Sequence, residues 1–161
     1  MGVLHAFKLS LLLPSKRAVF QLNRVKTKDF LSYIFLLHWL ISFPNGARLI
    51  NNSINNEAFS KESLLLLVLY PLFIIFFGLI GITLLASIGL LIKTITKRKL
   101  VYQLLWKMTV YALTYSIILY TFFDVLGITH WIVNLLVLSV FLLIFMQMIL
   151  AYPKIREKRI E

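Results

Sequence analysis

Three side chains in this sequence have types and positions suited to chemistry inside a membrane: His38, Asp124 and His130. His38 sits within the apolar stretch FLSYIFLLHWLISF, and Asp124 and His130 bracket the short segment Asp124-Val125-Leu126-Gly127-Ile128-Thr129-His130. Imidazole titrates near neutral pH, so a histidine beside a carboxylate can hold or pass a proton or a small cation. An ionisable residue within a bilayer is a functional hypothesis by default. In that reading Asp124 and His130 form a pair at the outer face and His38 continues a path inward. In the competing reading Asp124 and His130 are ordinary interfacial residues and His38 hydrogen-bonds a hydroxyl in a helix bundle. No carboxylate lies deep within an apolar run, and that favours the second reading.

Other chemistries find less support. There are no cysteines, which excludes disulfides, thiolate metal sites and cysteine nucleophiles. Three histidines in unrelated contexts do not make a converging ligand set, so no metal is expected. The sequence carries no nucleophile elbow, no HExxH helix, no paired intramembrane aspartates and no glycine-rich phosphate loop. The expectation is therefore a protein that is not an enzyme and needs no cofactor. A lipid-modifying enzyme would have only the unspecific hydroxyls of the stretch MTVYALTYSIILYTFF behind it.

The elements that must position these residues are set by one stretch above all. Leu64 to Ile92 runs 29 residues without a charge. As a helix it measures about 43 Å at ~1.5 Å per residue, against a hydrocarbon core of about 30 Å, so it crosses a bilayer tilted. With 60% hydrophobic residues and a mean hydropathy of +0.89, the whole chain is too apolar for an ordinary soluble domain. The expected fold is all-α: a polytopic integral membrane protein with four transmembrane helices and a basic interfacial N-terminal leader.

The leader occupies residues 1–29, where Lys8, Lys16, Arg17, Arg24, Lys26 and Lys28 alternate with bulky apolar residues. Pro14 divides it into two short pieces, each expected to lie in the interface. It lacks the charge order and cleavage site of a signal peptide, and Ala6 breaks the myristoylation pattern. The membrane domain covers residues 30–151, with spans expected near 30–50, 64–92, 108–127 and 131–151. The first span is the shortest in uninterrupted apolar character. It either reaches Ile50, with Arg48 snorkelling in the far interface, or breaks at Pro44. A polar loop from Asn51 to Ser63 follows, its Ser60-Lys61-Glu62-Ser63 offering the next helix an N-cap. The third span carries most of the hydroxyls, which are expected to face other helices. In the fourth, Asn134, Ser139 and Gln147 are candidate interhelical hydrogen-bonding groups. Residues 152–161 form a basic tail.

Charge gives the orientation. Lys and Arg number 6 in the leader, 2 between spans one and two, 5 from Lys93 to Lys107, none between spans three and four, and 4 in the tail. Four alternating helices place 15 of the 17 on one side, and by the positive-inside rule both termini are cytoplasmic. The net charge of +11 then faces anionic lipid headgroups rather than nucleic acid. Pro71, Gly78, Gly81 and Gly89 fall within about 80° of one another at ~100° per helical residue, a stripe that lets a neighbouring helix approach closely.

The order of basic leader, FQLNR, a first span ending in Ser-Phe-Pro, a polar loop and three further spans resembles an uncharacterised Firmicute membrane family named after a maltodextrin-utilisation protein. The most specific strings are Tyr102-Gln103-Leu104-Leu105 and Tyr111-Ala112-Leu113-Thr114. Members carry proline after that threonine, where this chain has Tyr115-Ser116, and a longer segment between the first two spans. More remotely the layout is similar to Yip1-like membrane proteins. The resemblance implies a bacterial plasma-membrane protein tied to carbohydrate uptake, and identifies no site.

These observations lead to a non-enzymatic membrane protein acting through helix contacts, as an accessory or scaffold subunit whose partner is a transporter or a second copy of itself. On that expectation Gly81→Leu weakens the association. The alternative is a small transporter or ion pathway using His38, Asp124 and His130.

Overall fold

The computed structural model describes residues 2–55, 61–128 and 130–154. Among the described residues there are six helices: α1 (Val3–Ser10), α2 (Lys16–Asn23), α3 (Thr27–Asn55), α4 (Lys61–Ile95), α5 (Tyr102–Val125) and α6 (Trp131–Leu150). The last four are each long and apolar enough to cross a membrane. No strand occurs among the described residues.

The helices run past the expected spans. α3 passes through Pro44 and on through the asparagines to Asn55, so the helix does not break at the proline. Proline removes one backbone donor. In hydrocarbon, opening the backbone there would expose further groups with no water to satisfy them, which keeps the helix continuous. Ser60, the expected cap of α4, lies outside the described residues, as does the tail from residue 155. α5 begins at Tyr102, which brings Trp106 and Lys107 into the helix. It ends in a Schellman motif: Gly127 takes φ +73, Ile128 N–H bonds the Phe123 carbonyl at 3.0 Å and Gly127 N–H the Asp124 carbonyl at 3.0 Å.

Direction follows from the contacts. Phe30 meets Trp106, Tyr33 meets Tyr111 and Arg48 meets Asp124, so α3 and α5 run parallel. Ile34 lies by Ile82 and Leu85 while Phe43 and Ala47 lie by Pro71 and Ile75, so α4 runs opposite to α3, and Arg98 meets Tyr152 while Ser116 meets Val137, so α6 runs opposite to α5. The starts of α3 and α5 and the ends of α4 and α6 therefore share one end of the bundle, which also holds most of the lysines and arginines.

α5 is the most enclosed of the four long helices and α4 the least. Leu105, Met108, Val110, Tyr111 and Ala112 are fully buried at the centre, with Phe141, Phe145 and Met148 from α6 and Tyr33 from α3 around them. Two buried hydroxyls of α5 are satisfied, Thr109 by its own Leu105 carbonyl at 2.9 Å and Ser116 by the Val137 carbonyl of α6 at 3.2 Å, while the Tyr111 hydroxyl and Thr121 Oγ1 are buried without a partner.

The leader is a docked part of the fold. Ala6, Leu9, Leu13, Val19 and Leu22 are buried against α3 and α5, while Lys8, Lys16 and Arg17 are exposed. Ser15 caps α2 by accepting from Ala18 N–H at 3.4 Å.

Candidate functional site

The groove between α3 and α4 is organised by His38. Its Nδ1 lies 2.8 Å from the Ile34 carbonyl one turn earlier. A carbonyl only accepts, so Nδ1 carries the ring proton in the neutral tautomer and Nε2 is left as an acceptor. That nitrogen lies over Gly78, and a β-carbon there would stand 2.2 Å from it. The ring borders two cavities. One of about 230 Å³ is lined by aliphatic side chains of α3, α4 and α5, including Ile34, Ile82 and Val110, together with Gly78 and Gly81. The other, about 500 Å³, runs past Trp39, Ser42, Phe43 and Pro71.

The three glycines of the α4 stripe differ in what they face. Gly78 accommodates His38 of α3, and Gly89 accommodates the Phe145 ring of α6, where an added β-carbon would meet Cζ at 2.6 Å. Gly81 has nothing within 4 Å of such a carbon and faces the first cavity. Close approach on this stripe is between helices of one chain.

At the opposite end from the lysines, Asp124 is buried and joined to Arg48. Arg48 Nη1 donates to Asp124 Oδ1 at 3.0 Å and Nη2 to the Asp124 carbonyl at 2.6 Å, while the arginine is half exposed. The second carboxylate oxygen, Oδ2, is buried without a hydrogen-bond partner. Asp124 and His130 border a common cavity of about 110 Å³ with Tyr120 and Asn134. They do not bond each other. His130 instead caps α6, its Nδ1 accepting from Ile132 N–H at 3.4 Å. His38 belongs to neither group, so the structure brings two of the three ionisable candidates to one cavity and leaves the third elsewhere. No group of three metal-ligating side chains gathers among the described residues.

A third constellation ties the leader to the spans. Ser10 Oγ donates to the Phe7 carbonyl at 2.8 Å and lies 2.7 Å from Tyr33 Oη, which in turn bonds Thr114 Oγ1. Each hydroxyl has one proton, so the order is fixed: Thr114 donates to Tyr33, Tyr33 to Ser10 and Ser10 to Phe7. The Tyr115 hydroxyl donates to the Leu11 carbonyl. Thr114 lies about 18 Å along α5 from Tyr102, at ~1.5 Å per residue, so the leader reaches the middle of that helix.

Residues 50–150 match the family described as "Protein of unknown function (DUF1189)". The chain belongs to the DUF1189 family. The match takes in α4, α5 and α6, and with them Gly78, Asp124 and His130, while Arg48, His38 and the leader precede it. No curated protein and no solved structure matches this DUF1189 chain.

Sequence reasoning missed the Arg48–Asp124 pair and the leader lock. Both left a signal. Arg48 is one of two basic residues on the sparsely charged side, and Asp124 sits at the same end of a parallel span. Ser10 is the one hydroxyl in the otherwise apolar or basic segment of residues 3–14.

Proposed function

We propose that this DUF1189 protein is non-enzymatic and acts through contacts in the membrane, as an accessory or scaffold subunit. The observation that carries the reading is an aromatic cluster on the outer face of α4. Phe73 and Phe77 stack at 6.2 Å and Phe76 meets Phe77 edge-on at 5.5 Å, all three well exposed on the helix that the rest of the chain covers least. Rings held against one another lose little freedom on docking, which suits a surface for another apolar helix. Both termini are read as cytoplasmic, because exposed Lys26, Lys28, Lys97 and Lys99 adjoin the starts of α3 and α5, and the membrane is read as a bacterial plasma membrane from the resemblance. The maltodextrin-named resemblance adds carbohydrate uptake as the process, with a transporter as partner.

Crosslinking in native membranes followed by mass spectrometry tests this. Recovery of a defined transporter, or of a self-complex, that is lost in Phe76→Ala/Phe77→Ala supports it. Recovery of neither, with the double substitution silent, overturns it.

A second reading, an ion or proton pathway, is favoured by one feature: the unpartnered Oδ2 of Asp124 beside the cavity it shares with His130. It predicts pH-dependent flux in liposomes abolished by Asp124→Asn. Flux indifferent to Asp124→Asn and His38→Ala removes both residues from any such pathway.

A further inference from the structure

At the lysine-rich end of the bundle, the first turns of α3 and α5 flank an open cleft of about 470 Å³. That volume falls in the range of ligand sites, ~300–1,000 Å³. Its polar groups are Lys107, Gln103 and Thr27; the rest of its wall is Phe30, Leu31, Tyr102 and Trp106. Lys107 is half-buried. Its ammonium stands 5.5 Å over the Phe30 ring and 3.4 Å from the Val25 carbonyl. The ring face and the carbonyl hold the ammonium at the cleft wall.

The aromatic wall is fixed from behind. The Trp106 indole N–H donates to Thr83 Oγ1 and the Tyr102 hydroxyl to the Thr83 carbonyl, each at 3.4 Å, so both polar edges are turned to α4. Such residues occupy the boundary between headgroups and hydrocarbon. Thr27 is flanked in sequence by exposed Lys26 and Lys28.

From this arrangement we infer that the cleft binds one anionic phospholipid. The phosphate meets the Lys107 ammonium, with the Gln103 amide and Thr27 hydroxyl as neutral donors, and an acyl chain follows Phe30, Leu31 and Trp106 into the bilayer. Basic pockets between membrane helices recognise headgroups in this way. A free phosphate would leave the aromatic wall bare, whereas a phospholipid covers it. A choline headgroup brings its own cation toward three lysines, so the site selects against it. The inference stands apart from the contact reading above and needs no partner protein.

Trp106 is one of three tryptophans, the others being Trp39 and Trp131. With those two changed to Phe, its fluorescence reports the cleft. The full chain is reconstituted in phosphatidylcholine nanodiscs containing a minor fraction of brominated phosphatidylglycerol. Quenching well beyond the mole fraction of the brominated lipid is expected, and Lys107→Gln should weaken that enrichment about tenfold, the scale of one lost charge-assisted bond. The double substitution Lys26→Gln/Lys28→Gln removes more surface charge and should retain most of it. Brominated phosphatidylcholine quenching equally well, or Lys107→Gln acting no more strongly than the double substitution, overturns the proposal. So does release of the lipid by soluble glycerol phosphate, which would make the ligand a free phosphate ester. If circular dichroism shows Lys107→Gln misfolded, Gln103→Ala/Thr27→Val is read in its place, with lost enrichment supporting the site and full enrichment overturning it.

Discussion

The imidazole Nε2 of His38 occupies the space that any side chain on residue 78 would need, 2.2 Å from the position of a β-carbon there. Histidine and glycine are therefore one packing unit shared by α3 and α4. Gly78→Ala forces the ring to move, straining its bond to Ile34, and should cost about 1–3 kcal/mol. His38→Ala removes the obstacle, so the double variant should be more stable than the two single losses add up to. Thermal unfolding in detergent measures this; strict additivity would show that the ring is not what Gly78 makes room for. Gly81→Ala is the control. It enters open space and should be neutral or stabilising by up to ~1 kcal/mol, the helix preference of alanine over glycine.

The pairing of Arg48 with Asp124 predicts an asymmetry. Arg48→Ala leaves a buried carboxylate unpaired, whereas Asp124→Asn leaves a half-exposed arginine that can turn to headgroups. The arginine substitution should cost about 1–3 kcal/mol and the aspartate substitution distinctly less. Equal losses in denaturant unfolding would mean that the carboxylate does not depend on its partner.

The ordered hydroxyls of the leader make a second asymmetric prediction. Ser10→Ala leaves the buried Tyr33 proton without its acceptor, while Tyr33→Phe removes donor and acceptor together and lets Thr114 bond its own helix. Hydrogen exchange over residues 3–23 should accelerate about tenfold in Ser10→Ala, less in Tyr33→Phe, with α5 and α6 unchanged. Acceleration spread evenly over all helices would show that the leader is not a separate opening unit.

Beyond the end of α6, burial pushes the pKa of the Tyr152 hydroxyl up to about 12 from the ordinary tyrosine value of 10.0. Its ring packs on Phe20 of α2 at 5.1 Å. The folded state favours the neutral phenol, so this stabilisation is complete below pH 10 and is lost as pH rises from 10 toward about 12. Stability should fall across that window, and Tyr152→Phe should flatten the decline. Absorbance titration that finds all seven tyrosines ionising together near 10 would remove the basis for it.

The four spans were legible because hydropathy and length constrain a helix in lipid almost by themselves, and the run from Leu64 to Ile92 admits no other reading. The leader's two short helices could be read from Pro14. What it docks on could not, since Ser10 reaches Thr114 only through Tyr33, with three helices between α1 and α5 in the chain, and this leaves no local periodicity. The glycine stripe marked close approach without naming the neighbour: His38 and Phe145 come from different helices, a choice made by the whole bundle. Arg48 is the instructive case. Treated as a topology marker, it hid the salt bridge that its depth in a span parallel to that of Asp124 would have suggested.

The leader lock also bears on the order of synthesis. Tyr33 lies 81 residues before Thr114, and Leu11 lies 104 before Tyr115. A ribosome finishes the leader long before either receptor hydroxyl exists. The first two dozen residues must wait at the membrane surface, where their alternating lysines and leucines let them rest, until α5 is in place. Their closure waits on α5, and a chain whose α5 fails to insert would keep residues 3–23 open to proteases.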